Sequence, residues 1–210
     1  MALSKEALIE RYALMSAYEE EAFAEGIHLI AGMDEAGRGP LAGPVVAAAV
    51  ILDPEKPVYG VNDSKKLSEK RRAALKPAIE ELAVTYAVGI VDESIIDRIN
   101  ILEATKEAMQ KAIAGLDPKP ELILIDALTI PKIPIPQKGI IKGDAQSVSI
   151  AAASILAKET RDQIMRTYDE IYPEYGFAKH KGYGTKEHIA AIRQYGPCPI
   201  HRRSFIKNFI

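Results

Sequence analysis

Residues 121–126 read Glu-Leu-Ile-Leu-Ile-Asp, and this short segment constrains the fold more than any other. Successive apolar side chains closed by a carboxylate fit a strand buried on both faces. A strand wetted on one side would alternate apolar and polar residues instead. Both faces of the sheet therefore need covers, and the rest of the chain supplies helices. Helical periodicity predicts them over residues 4–25, 68–82, 93–116, 146–168 and 186–194. Ser4 is placed to cap the first and Gly26 to end it, while Pro118 and Pro120 end the third. Apolar runs bounded by Gly and Pro predict further strands at 27–33, 45–52, 83–91 and 139–142. The first two of these read as an antiparallel pair across a long Gly/Pro-rich connection. Ala47, Ala48 and Ala49 offer small side chains against which a helix can pack closely. The expectation is α/β: a mixed five-stranded sheet flanked by helices, with a helical C-terminal tail.

The 210 residues suit one principal domain. We expect an N-terminal helical extension over 1–26, a main α/β domain over 27–170, and a basic helical segment over 171–210 packed on it. At 48% hydrophobic and 27% charged residues, the composition excludes a disordered or collagen-like chain. No apolar run reaches the roughly 20 residues of a membrane span. The acidic, amphipathic start lacks a secretory pattern. The lone Cys198 permits neither a disulfide framework nor a paired-cysteine metal site. A cytoplasmic monomer without membrane contact is expected.

The overall charge of −2 hides an asymmetry. Residues 171–210 carry a balance of +5, with three of the four histidines, so the preceding 170 residues carry −7. Such a segment can meet a polyanion or serve as a solvated basic face.

Asp34 and Glu35 follow the first strand, Asp126 ends the ELILID strand, and Asp144 lies just before a helix rich in small residues. If the two strands are parallel neighbours, their carboxyl ends share the sheet edge where open α/β sheets bind ligands. Four carboxylates without Cys or His make a hard oxygen site, suited to Mg²⁺ or Mn²⁺ rather than Zn²⁺. Turn and helix-cap roles for the same residues stay open. Neighbouring strand residues point to opposite faces, so Asp34 and Glu35 reach one centre only if the strand ends or kinks there. Gly37, Arg38, Gly39 and Gly43 do not form a dinucleotide fingerprint, because Pro40 interrupts them and a strand follows. They do allow close approach of backbone to a sugar or phosphate. Asp63-Ser64-Lys65-Lys66-Leu67-Ser68 stands where a phosphate could meet a helix start, although Ser68 serves equally as a cap. Tyr183, between Gly182 and Gly184, is placed either to stack on a nucleic acid or to anchor its loop.

Taken in order, these segments resemble the ribonuclease HII family. The resemblance rests on residues 32–46 (GMDEAGRGPLAGPVV), 63–68 (DSKKLS), 99–102 (INIL), 124–126 (LID), 142–144 (KGD), 149–158 (SIAAASILAK) and 180–185 (HKGYGT). It runs from about residue 27 to 206. It implies a ribonuclease H-like fold and cleavage of RNA paired to DNA, including incision 5′ to single ribonucleotides in duplex DNA. The implied metal ligands and catalytic residues are Asp34, Glu35, Asp126 and Asp144, holding two Mn²⁺ or Mg²⁺ ions. Gly37, Arg38 and Gly39 would sense the ribonucleotide, and Tyr183 would stack on its sugar. Lys65, Lys181 and Arg203 are candidate phosphate contacts. Three rivals remain: a type HIII hybrid nuclease, a binding module with structural carboxylates, and a small-molecule phosphohydrolase.

Overall fold

The computed structural model describes residues 4–131 and 133–208. Strands β1 (Ile30–Ala36), β2 (Val45–Leu52), β3 (Ala83–Val91), β4 (Leu122–Asp126) and β5 (Gln137–Ile140) form one sheet in the order β3-β2-β1-β4-β5. β1 runs antiparallel to β2 and parallel to β4, which is parallel to β5. The sheet is mixed and five-stranded, as its apolar runs predict. β5 lies at 137–140 rather than 139–142. Lys142 takes a left-handed backbone (φ 57°) and starts the turn that carries Asp144, so strand geometry stops before it.

Helices cover both faces. α4 (Glu93–Gly115) packs on β2 and β3, while α5 (Val148–Ile171) crosses β1 and β2 on the other side, beside α3 (Glu69–Leu82). The three alanines of β2 are fully buried, Ala47 and Ala49 facing α4 and Ala48 facing α5. Their small size lets both layers close in. Contact is close at Gly32, where an added Cβ would lie 2.0 Å from the carbonyl carbon of Ser149.

Two of the expected helices are broken. The N-terminal one divides at Ser16 into α1 (Lys5–Met15) and α2 (Ala17–Ala24), and Ser16 Oγ donates to the Tyr12 carbonyl at 2.8 Å. Serine offers the backbone this alternative partner, which periodicity does not register. α4 breaks at Asn100 (φ 68°), whose side chain caps the second half by accepting from Leu102 N and Glu103 N. With ψ 165° this is a strained backbone for any residue but glycine, and the two side-chain bonds help hold it.

α2 also reaches into the core. The buried Glu19 carboxylate accepts from Ser147 Oγ at 2.5 Å and Ser149 N at 3.0 Å, at the start of α5. The tail forms α6 (Phe177–His180), α7 (Lys186–Tyr195) and α8 (Arg203–Ile206). Their apolar side chains join Leu41, Ala42 and Met165 in a separate cluster. No helix among the described residues is long and apolar enough to cross a membrane.

Candidate active site

β1 and β4 are parallel neighbours, and their pairing ends at Met33 and Ile125. Asp34 and Asp126 are the next residue on each strand, so both carboxylates leave the sheet at one edge. β1 nevertheless stays paired to β2 as far as Ala36 and Val46. The strand therefore does not end between Asp34 and Glu35. Separation from β4 alone opens the space beside them.

Asp34 is buried, and its Oδ1 accepts from Glu35 N at 2.7 Å. Burial raises its pKa well above the usual carboxylate range, and repulsion from Glu35 adds to the rise. Burial also raises Glu35, against the pull of Arg38, whose guanidinium pairs with it at 3.2 Å. Glu35 Oε2 is buried and, among the described residues, has no hydrogen-bond partner. Asp126 Oδ1 accepts from Gly143 N at 2.8 Å, which ties β4 to the turn bearing Asp144. Asp144 is buried and raised, first by burial and then by repulsion from Asp63 and Asp126. Burial by itself would lower the Lys65 ammonium. Asp34, Asp144, Asp63 and Asp126 together reverse that and raise it.

Asp34, Asp126 and Asp144 thus converge on one ammonium, Glu35 feels Asp34 and Asp126, and Asp63 joins them unforeseen. Spacing conceals Asp63 because it sits on a loop far from either strand end. Among the described residues, no three His, Cys, Asp or Glu side chains stand close enough to hold a metal as they are. Like charges splay apart, and here one lysine offsets several carboxylates. The donors still suit a divalent cation: they are all oxygen, mutually repelling, and include the unpartnered Glu35 Oε2.

A cleft runs from Asp34 and Glu35 past Gly37, Arg38 and Gly39 to Lys65, Lys158, Arg161 and Tyr183. Gly37 has φ 96°, and an added Cβ would lie 2.1 Å from Arg161 Nε, so only glycine fits. Gly39 lies against Tyr183, its nearest ring carbon 3.8 Å from an added Cβ. Tyr183 is 47% exposed, leaving its ring free for a ligand.

The family model described as Ribonuclease HII matches residues 31–208, nearly the whole chain. The chain belongs to the ribonuclease HII family. It is 59% identical over 208 residues to the Ribonuclease HII of Acetivibrio thermocellus, covering 99% of this chain and 81% of that one. It is 56% identical over 202 residues to the Ribonuclease HII of Caldanaerobacter subterraneus subsp. tengcongensis, covering 96% and 84% respectively. Among solved structures, the ribonuclease H2 of Pyrococcus horikoshii superposes with a TM-score of 0.71 at 30% identity, over 86% of this chain and 96% of that one. A ribonuclease HIII crystallised with Mn²⁺ shares the fold, at 24% identity and a TM-score of 0.60 over 80% of this chain and 63% of that one. The type HIII, binding-module and phosphohydrolase rivals give way to an endoribonuclease, a hydrolase whose family uses divalent metals.

Ribonuclease HII membership leaves the site residues to be judged on geometry. Lys65 lines the cleft, but Lys181 and Arg203 do not. The Lys181 ammonium bonds the Ala178 carbonyl, and Arg203 Nη2 reaches the Pro197 carbonyl at 3.4 Å. The arginine that touches the loop of residues 37–39 is the neighbouring Arg202. Ser154, Lys158 and Arg161, all on α5, also escaped the sequence reading, because a small-residue helix reads as packing alone.

Proposed function

We propose that the chain hydrolyses the RNA strand of RNA–DNA hybrids and incises duplex DNA 5′ to single embedded ribonucleotides, leaving 3′-hydroxyl and 5′-phosphate ends. The observation that carries this reading is one cleft lined by the Asp34 and Glu35 carboxylates together with Gly37, Gly39 and Tyr183. Asp34, Glu35, Asp126 and Asp144 would hold two Mn²⁺ or Mg²⁺ ions. Bound divalent ions supply the Lewis acidity for in-line attack of water on the phosphate.

The chain's own residues supply the rest. Backbone groups of residues 37–39 contact the ribose 2′-hydroxyl, the group that separates RNA from DNA. Tyr183 stacks on that sugar. Lys65 offers its ammonium to the neighbouring phosphate, whereas Lys181 and Arg203 are assigned to the duplex outside the cleft. Residues 27–170 form the catalytic unit, 171–210 its basic substrate-facing partner, and 1–26 an extension that braces it. We place this activity in the cytoplasm, in a monomer.

The test is a labelled DNA duplex with one ribonucleotide, incubated with and without Mg²⁺ or Mn²⁺ beside an all-DNA control. A metal-dependent cut 5′ to the ribonucleotide, absent from the control, is expected. If neither duplex is cut with either metal, the reading fails.

A further inference from the structure

Two arginines lie beneath the sensing loop almost without solvent, Arg161 at 1% and Arg202 at 0% exposure. Neither pairs with a carboxylate among the described residues; their partners are main-chain carbonyls. Arg202 donates to Gly37 O (2.6 Å), Arg38 O (3.0 Å), Gly43 O (2.9 Å) and Pro44 O (3.2 Å). Its own backbone N–H goes to Leu41 O at 2.9 Å. Arg161 donates to Ala42 O (3.0 Å), Pro44 O (3.0 Å) and Lys181 O (2.9 Å), which brings in the loop before Tyr183. Burial lowers Arg202 to about 9 and Arg161 to about 10, so both stay charged at neutral pH.

Burying two cations without a directly paired carboxylate is costly, although Glu93 and Asp97 attract Arg202 and Asp162 attracts Arg161 from farther off; apolar packing would hold a loop at lower expense. What only guanidinium groups provide is several fixed donors in a plane. They turn the carbonyls of Gly37 and Arg38 inward. In a planar trans peptide the next N–H points the opposite way. The N–H groups of Arg38 and Gly39 therefore face away from Arg202, on residues that line the cleft. Among the described residues, neither donates to another protein group.

We propose that Arg202, seconded by Arg161, is a positioning residue that pre-sets the Arg38 and Gly39 amides as donors to an oxygen of the ribonucleotide. This rests on reading residues 37–39 as the ribose sensor. The arginines touch no substrate. They fix the direction of the groups that do, and their charge behind those amides favours an electron-rich acceptor.

The test compares affinities rather than cleavage, so metal chemistry stays out of it. Fluorescence anisotropy in EDTA measures binding of one duplex with a single ribonucleotide and of the same duplex in all-DNA form. Wild type should favour the former by about fivefold, the worth of one net hydrogen bond. Arg202→Lys keeps the charge but not the fork, and should bring that ratio to about one while leaving all-DNA affinity unchanged. A purely structural role would weaken both duplexes together, and that result, or an unchanged ratio, overturns the proposal. If Arg202→Lys does not fold, Arg161→Lys decides by the same two readings. A wild type without any preference sinks the ribose-sensor reading itself, and the proposal with it.

Discussion

On the strand edge, Asp34, Glu35 and Asp144 are raised by burial, the charges crowd, and Glu35 Oε2 has no partner among the described residues. Beneath the adjoining loop of residues 37–44, Arg161 and Arg202 are buried just as deeply, yet their donors meet carbonyls. A relay of neutral histidines extends the same pattern. Cys198 N donates to His201 Nδ1 (3.0 Å), which leaves His201 Nε2–H for His188 Nε2 (3.0 Å) and His188 Nδ1–H for the Tyr183 carbonyl (2.9 Å). The carboxylates crowd like charge around one lysine, whereas the buried arginines have their donors met by the fold. On the proposed reading, a cation completes the first group, and the second aims the Arg38 and Gly39 amides before a sugar arrives.

The sharpest way to break this contrast is Asp126→Asn. It keeps an oxygen for the Gly143 amide while removing a charge, so folding should persist and cleavage should fall by about 10³-fold or more. Wild-type turnover in a gel assay would take Asp126 out of the site. In the same cleft, Tyr183→Ala should reduce cleavage at single ribonucleotides by about tenfold to a hundredfold, and long hybrids less, since one stacked ring carries about 1–3 kcal/mol. Equal losses on both substrates would deny the ring a sensing role.

The histidines and the carboxylates respond oppositely to acid. Burial lowers His188 and His201 to about 4. Unfolded histidines take up protons near pH 6.5. Their contribution is therefore full above about pH 6.5, shrinks as pH falls, and levels off below about 4. Raised carboxylates act in reverse, because the folded protein binds their protons first and gains stability as pH falls. Urea melts across this range should show the histidine loss, and His188→Gln should flatten it. A profile unchanged by that substitution would mean that the relay does not set the slope.

Weaker effects test the braces. Glu19→Ala strands the Ser147 hydroxyl and Ser149 amide, and should cost about 1–3 kcal/mol in a denaturant titration. An unchanged midpoint would leave α2 without a bracing role. Arg203→Ala, outside the cleft, should alter KM by about twofold at most, yet lower the salt slope of duplex binding by about 0.9. An unchanged slope would remove Arg203 from the duplex.

Element type and order were legible because each depends on neighbours in sequence. Period-2 and period-3.6 patterns mark which faces are buried, and Gly and Pro mark the ends. The breaks at Ser16 and Asn100 were hidden, since each arises from one polar side chain that bonds its own backbone. Carboxylates near the β1–β4 edge were legible by the same local logic, as was the Gly-rich turn, but β1 lies at 30–36 rather than 27–33 and runs past Asp34 and Glu35. Asp63, Arg161 and Arg202 were not. Arg202 sits 165 residues from the Gly37 carbonyl it holds, and nothing near it in sequence distinguishes it from Arg203. Which of two adjacent arginines turns inward is decided by the Ala42–His201 bridge and the packing of the C-terminal cluster. The sequence alone determines the α/β class, the family and the four charges that gather at the edge. Tertiary structure alone decides that the carboxylates are left crowded while the donors of the buried arginines are met, because that balance depends on partners distant in the chain.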